Sequence, residues 1–228
     1  MLNQQQIKQQ AGEYAAKYVE QGMTIGLGTG STVFFLIHAL AEKVKQGFEF
    51  SAVPTSVQTA KLAQELGITL TTLDDVNELA LTIDGADEVD PQLQLIKGGG
   101  AALLQEKIVA AAGKELIIIT DESKMVPQLG AFPLPVEVIT FGWKQVQQKI
   151  SKAGCPDVQL RMKDGKPLLT DHQHYILDCR YGKIDDAAAL NTALHAIPGV
   201  VETGLFIGMA TKIITGYSDG RIVETPAL

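Results

Sequence analysis

Four short segments carry the side chains that could do chemistry. The first, Gly26-Leu27-Gly28-Thr29-Gly30-Ser31-Thr32, follows an apolar run and opens an amphipathic stretch. Glycines permit a tight turn, and the N–H groups at a helix start form a nest for an anion. Ser31 and Thr32 add hydroxyl donors, and either is a candidate helix cap. The loop lacks the Lys of a Walker motif, and Ser31 stands where a dinucleotide fingerprint needs its third glycine. It reads as a phosphate cradle without nucleotide specificity, or else as an ordinary strand-to-helix turn.

The second segment, Asp84-Gly85-Ala86-Asp87-Glu88-Val89-Asp90, sets four carboxylates within seven residues. Such crowding destabilises unless a cation, a proton or a substrate hydroxyl relieves it. Magnesium, sugar hydroxyls and a solvated acidic turn all remain open on this ground. The third is Lys97-Gly98-Gly99-Gly100, where three glycines allow a ligand to approach the backbone closely and Lys97 supplies positive charge. Glu106 follows on the next helix, between Gln105 and Lys107, and is either functional or merely exposed. The fourth, Thr120-Asp121-Glu122-Ser123-Lys124, adds a second lysine.

Elements must bring these segments together. Through the first 125 residues, apolar runs at 23–27, 48–53, 68–73, 79–83, 93–96 and 115–120 alternate with amphipathic stretches at 4–21, 31–46, 56–66 and 101–112. That alternation predicts an α/β fold with a mostly parallel, doubly wound (Rossmann-like) sheet, whose ligands sit outside the carboxyl ends of the strands. The four segments are expected at consecutive strand ends. After the Pro133 and Pro135 crossing, a strand at 136–141, a helix at 143–152 and strands at 158–162, 167–170 and 175–179 follow. A helix at 185–196 and a strand at 200–206 complete the order of a smaller α+β lobe of split βαβ, ferredoxin-like type. Residues 207–215 are apolar again and suit a return to the first sheet. We therefore expect an α/β catalytic domain of residues 1–130 plus 207–228 and a small lobe of 131–206.

Composition narrows the partners. The 228 residues carry a formal net charge of −7, which disfavours non-specific nucleic-acid binding. No apolar run approaches the roughly 18 residues of a spanning helix, and the polar start MLNQQQIKQQ is unlike a signal peptide. Cys155 and Cys179 are expected as two buried thiols in a reducing cytoplasm. Neither a metal nor a cofactor motif is present. Acid groups, anion donors and two lysines suit a small phosphorylated, polyhydroxylated substrate better than a nucleotide.

TGST, DGADEVD, KGGGAALLQEK, DESK and GLFIGMA, spread over essentially the whole chain, together resemble ribose-5-phosphate isomerase of type A. The resemblance implies an aldose–ketose isomerase that interconverts ribose 5-phosphate and ribulose 5-phosphate through an enediol, without a cofactor, as a cytoplasmic homodimer. It implies that Glu106 is the base between C1 and C2, and that Asp84 and Asp87 handle ring opening and hydroxyl protons. Lys97 with Gly98, Gly99 and Gly100 would stabilise enediolate or phosphate. Thr29, Gly30, Ser31, Thr32, Gly85, Ala86 and Lys124 would be further substrate contacts, and Lys8 a match to a phosphate-binding lysine. One departure is Asp171-His172-Gln173-His174, where relatives carry an Asn-Gly turn; it reads as a hairpin turn or a two-histidine metal site. The rival readings are a sugar-phosphate sensor, for which no basic DNA-reading helix is present, and a coenzyme A transferase relative with Glu106 as nucleophile.

Overall fold

Local signals start the chain. Asn3 caps the first helix by accepting from the Gln6 backbone, and the Gln6 side chain accepts from the Asn3 backbone in return, a complete capping box. The computed structural model describes residues 1–227. Its elements run α1 (Gln4–Ala15), a 3-10 turn (Ala16–Tyr18), β1 (Thr24–Leu27), α2 (Ser31–Lys45), β2 (Ser51–Pro54), α3 (Val57–Glu65), β3 (Thr69–Leu70) and, after a 3-10 turn (Leu73–Asp75), β4 (Leu81–Asp84). Next come β5 (Glu88–Val89), β6 (Leu95–Ile96), α4 (Leu103–Ala112), β7 (Leu116–Asp121) and a 3-10 turn (Glu122–Lys124). The order continues with β8 (Leu134–Val138), α5 (Trp143–Lys152), β9 (Asp157–Leu160), β10 (Met162–Lys163), β11 (Lys166–Pro167) and β12 (Tyr175–Arg180). It ends with α6 (Ala187–His195), β13 (Val200–Thr203), β14 (Leu205–Phe206), β15 (Lys212–Gly216) and β16 (Ile222–Pro226).

Contacts divide the chain into two units. The first holds Met1–Ala86, Gln105–Met125 and the chain from Met209; the second holds Asp87–Leu104 and Val126–Gly208. Residues 87–104, 126–130 and 207–208, expected with the larger domain, group instead with the smaller one. The first unit is built on a seven-stranded sheet of order β16-β15-β7-β4-β1-β2-β3. All neighbours are parallel except the β15–β16 pair. The apolar segment after Ile207 does return, with β15 lying between β7 and β16. Ile25, Leu27, Ile83, Ile117 and Ile119 meet Leu36, Ile37 and Leu40 of α2 in one buried core. The chain leaves β1 towards β2 on one side, whereas β4 and β7 lie on the other. Between the carboxyl ends of β1 and β4 is therefore the switch point where doubly wound sheets hold ligands.

The C-terminal strands are tied to α1. Tyr14 Oη and Lys17 Nζ donate to Glu224 Oε1 at 2.6 and 2.9 Å, and Lys212 Nζ donates to Tyr18 Oη at 3.0 Å. Hydrogen bonding from Tyr14, followed by that from Tyr18 and Lys17, holds the Glu224 carboxyl down to about 2, from an ordinary value of 4.5.

In the second unit, an antiparallel sheet of order β13-β8-β12-β9 carries the β8-α5-β9 and β12-α6-β13 repeats of a ferredoxin-like lobe. Val136, Val138, Leu177, Val146, Ile150 and Leu194 form its core. Cys155 and Cys179 are buried in it as free thiols.

The expected strand at 200–206 is in fact two. At Gly204 the chain changes sheet, from β13 beside β8 to β14 beside β6. A Cβ at Gly204 would lie 2.3 Å from the Lys97 carbonyl oxygen, so only glycine fits. One expectation is overturned here: β6 is not a strand of the large sheet. It pairs antiparallel with β5 and β14. Few residues separate β5 from β6, whereas a parallel crossover needs a dozen or more. Lys97 thus follows a strand of the smaller sheet, and the chemistry-bearing segments do not sit at four consecutive ends of one sheet.

Candidate active site

In the first unit, the turn after β1 is shaped by a close approach of Gly28 to Asp84. A Cβ on Gly28 would lie 2.3 Å from Asp84 Oδ1, which only a glycine avoids. Asp84 is wholly buried at the end of β4. Its Oδ1 accepts from the Thr29 N–H at 3.0 Å and the Gly85 N–H at 2.7 Å. The carboxylate is thus fastened under the loop by backbone donors.

The helix start differs from the expected one. Gly30, at φ 120°, is the N-cap of α2, and neither Ser31 nor Thr32 caps it. Gly30 offers no side-chain cap to this 15-residue helix, so among the described residues its first-turn donors are left available to an anion. Lys8 Nζ, from α1, donates to Ser31 Oγ at 3.0 Å and brings a cation to the same turn. A groove of about 520 Å³ is lined there by Lys8, Gly30, Ser31, Phe34 and Gln58.

Thr29 turns its hydroxyl the other way. Its Oγ1 lies 2.7, 2.8 and 3.1 Å from the hydroxyls of Thr55, Ser56 and Thr59, and Thr59 Oγ1 donates to the Gly28 carbonyl at 2.8 Å. Thr55, Ser56 and Thr59 are buried and brace the loop from below. Sequence reasoning passed over them. The signal was the Thr55-Ser56 pair at the end of β2, with Ser56 capping α3 by accepting from the Thr59 N–H.

Glu106 is 4% exposed in the first turn of α4. Its neighbours in sequence, Gln105 and Lys107, are half-buried, and Gln105 Nε2 donates to the Pro54 carbonyl at 2.9 Å. A carboxylate this deep is rare outside functional sites and paired charges. Lys124 is half-buried in the turn after β7. Asp121 shapes that turn, its Oδ1 accepting from the Ser123 N–H at 3.0 Å and from the Ser123 hydroxyl.

In the second unit, Asp87 and the triple-glycine loop are joined. Asp87 Oδ2 accepts from the Gly99 N–H at 2.7 Å, and a Cβ on Gly99 would strike Asp87 Oδ1 at 2.7 Å. Gly98 has φ 106°, a conformation for glycine, and a Cβ there would meet Leu103. Gly99 and Gly100 are exposed. Lys97 is 3% exposed; its N–H donates to the Gly204 carbonyl at 2.9 Å, and its ammonium lies 5.4 Å from the centre of the Phe206 ring.

The acidic cluster of the sequence is therefore two pairs with different tasks. Glu88 accepts from the N–H groups of Gly130 and Phe132 at 2.7 and 2.5 Å. Asp90 Oδ1 accepts from those of Gln92 and Gln94 at 2.9 and 2.8 Å, building the β5–β6 turn. Those two carboxylates belong to the scaffold. Asp84 and Asp87 remain, with Gly85 and Ala86 between them, and the unit boundary falls after Ala86.

The Asp171–His174 segment is a tight turn: the Thr170 N–H donates to the His174 carbonyl at 2.9 Å. His174 Nδ1 lies 3.0 Å from Glu137 Oε1, and His172 is exposed. Among the described residues, no group of three or more His, Cys, Asp or Glu is arranged to hold a metal ion. No helix among them is long and apolar enough to cross a membrane.

Known proteins with these features can be compared over the whole chain. The family model for ribose 5-phosphate isomerase A (phosphoriboisomerase A) matches residues 51–220. Ribose-5-phosphate isomerase A of Bacillus mycoides is 55% identical over 215 residues, covering 94% of this chain and 97% of the relative. The ribose 5-phosphate isomerase structure from Plasmodium falciparum superposes with a TM-score of 0.94 at 37% identity, covering 97% of this chain and 98% of that one. A D-ribose-5-phosphate isomerase in complex with phospho-erythronic acid gives 0.94 at 39% identity, covering 99% and 100%.

Proposed function

The chain belongs to the ribose 5-phosphate isomerase A family and is an isomerase that interconverts ribose 5-phosphate and ribulose 5-phosphate; we propose that it does so through an enediol, with Glu106 as the base. The observation that carries this reading is the burial of Glu106, six residues beyond the triple-glycine loop. Glu106 takes the proton from C2 of the open-chain aldose and returns it to C1, so one carboxylate serves both half-reactions. Lys97 and the N–H groups of the loop hold the negative charge that develops on the substrate oxygen. Asp84 and Asp87 exchange hydroxyl protons during ring opening and isomerisation. Backbone donors hold one oxygen of each, which supports this role by fixing the carboxylates in place.

The substrate phosphate binds at the start of α2, contacted by Gly30, Ser31, Thr32 and Lys8, with Lys124 as a further contact and Thr29 fixing the loop. The uncapped helix start and the Lys8–Ser31 pair support this assignment. So does the phospho-erythronic acid bound by a relative 39% identical, a phosphorylated polyhydroxy acid whose planar carboxylate resembles an enediolate. A homodimer in the cytoplasm completes the proposal, on the strength of the family resemblance.

The decisive experiment incubates the chain with ribose 5-phosphate in deuterated water and follows ketose formation and deuterium at C1. Turnover with solvent deuterium entering C1, undiminished after dialysis against EDTA, is expected. Turnover with a strict dependence on added magnesium or manganese would assign the aspartates to a metal and remove their proton-handling role.

A further inference from the structure

We propose that Arg161 is a positioning residue for isomerisation, setting the triple-glycine loop so that its backbone N–H groups face Asp87 and the substrate. The proposal rests on the functional reading above. Arg161 follows β9, and its guanidinium makes four hydrogen bonds within the second unit. Nε donates to Asp178 Oδ2 at 2.9 Å and Nη2 donates to Asp178 Oδ1, a two-pronged pair across neighbouring strands. Nη1 donates to the carbonyl oxygens of Gly98 and Gly99, at 2.8 and 3.1 Å. The two side chains are only 13% and 20% exposed.

The consequence lies in peptide geometry. Every peptide bond among the described residues is trans, and in a trans peptide C=O and N–H point in opposite directions. Turning the Gly98 and Gly99 carbonyls towards one guanidinium aims the Gly99 and Gly100 N–H groups the other way. The Gly99 N–H is already seated there, on Asp87 Oδ2 at 2.7 Å. The Gly100 N–H is the next donor on that side, suited to an oxygen that gains charge in the transition state. Three consecutive glycines have the greatest backbone freedom of any segment of that length, so this orientation needs an external anchor. Lysine cannot replace it, because one ammonium cannot hold both Asp178 oxygens and both carbonyls in one plane.

The test uses the full chain with Arg161→Ala, Arg161→Lys and Asp178→Asn, under steady-state kinetics with ribose 5-phosphate. Phosphate contacts come from other segments, so the loss should fall on kcat, by about tenfold or more, with KM changed less than about threefold. Guanidinium chloride at tens of millimolar should restore part of kcat in Arg161→Ala and none in Glu106→Gln. Amide exchange at residues 98–100 should quicken in Arg161→Ala while the core strands keep their protection. Wild-type kcat in Arg161→Ala overturns the proposal, as does a loss that tracks global unfolding without guanidinium rescue. A wild-type chain that leaves ribose 5-phosphate unchanged overturns the functional reading instead, and unchanged exchange at residues 98–100 then overturns the loop-setting role as well.

Discussion

Glu106 and Lys97 are ionisable groups kept almost wholly from water, at 4% and 3% exposure, and side chains of these types are otherwise nearly always at the surface. For Glu106 the consequence is measurable. Glu106→Gln keeps the shape of the side chain and removes the carboxylate proposed as the base, so kcat should drop by about 10² to 10⁴ while the dissociation constant for ribose 5-phosphate stays within a few-fold. Single-turnover kinetics beside calorimetric titration would separate the two effects. Retention of more than about a tenth of kcat would take the base role from Glu106. Residue type and spacing pointed to this position only in part, because Gln105 and Lys107 on either side disguise a buried carboxylate as a surface one. Helix periodicity cannot tell which polar residue turns inward. The acidic run shows the opposite failure: Glu88 and Asp90 looked as chemical as Asp84 and Asp87, yet loop N–H groups from 92, 94, 130 and 132 consume them. The donors to Glu88, from Gly130 and Phe132 more than forty residues away, leave no trace in a local sequence pattern, and those to Asp90 come from a turn whose shape the composition alone does not reveal.

Among the elements, the β1–α2 turn is where backbone and chemistry are most tightly coupled. Gly28→Ala should push the Asp84 carboxylate off its two N–H donors, since the new Cβ would lie 2.3 Å from Oδ1. The expected result is a loss of about 1–3 kcal/mol in stability and a fall of at least about tenfold in kcat/KM. Gly85→Ala is the control: its Cβ would meet nothing closer than 3.8 Å, so it should fold and melt like the wild type. Equal melting of the two variants would refute the coupling. Most elements were legible in the chain, α5 to the residue, because apolar periodicity and capping are local. What was not legible was which sheet a short strand joins. Leu95–Ile96 looks like any other buried run, and only its pairing with Glu88–Val89 and Leu205–Phe206 reveals a separate antiparallel sheet. The split at Gly204 has the same origin, since a lone glycine marks a close approach without naming the partner.

For the whole molecule, the tie between α1 and the last two strands predicts an acid response. The Glu224 carboxyl is held at about 2, below its ordinary 4.5. A depressed folded value stabilises the protein above pH 4.5, and that contribution is lost as the pH falls towards 2. Glu224→Gln removes it at every pH. The variant should therefore melt below the wild type near pH 7, by the equivalent of about 1 kcal/mol or less for a partly exposed group, and the gap should close between pH 4.5 and 2. A gap constant with pH would assign the tie to packing rather than charge.

The large sheet has a further consequence, in the order in which it can be made. Its fifth and sixth members across, β7 and β15, are neighbours separated by some ninety residues of chain, and β15 also contacts α1 near the start. A ribosome releases Val126–Gly208 of the smaller unit before any of β15 or β16 has left the tunnel. During that interval β7 is an uncovered edge of a buried, β-branched strand, the kind of surface that recruits other chains. Slowing translation beyond residue 121 should shift freshly made chains towards aggregates, even though the finished molecule is unchanged.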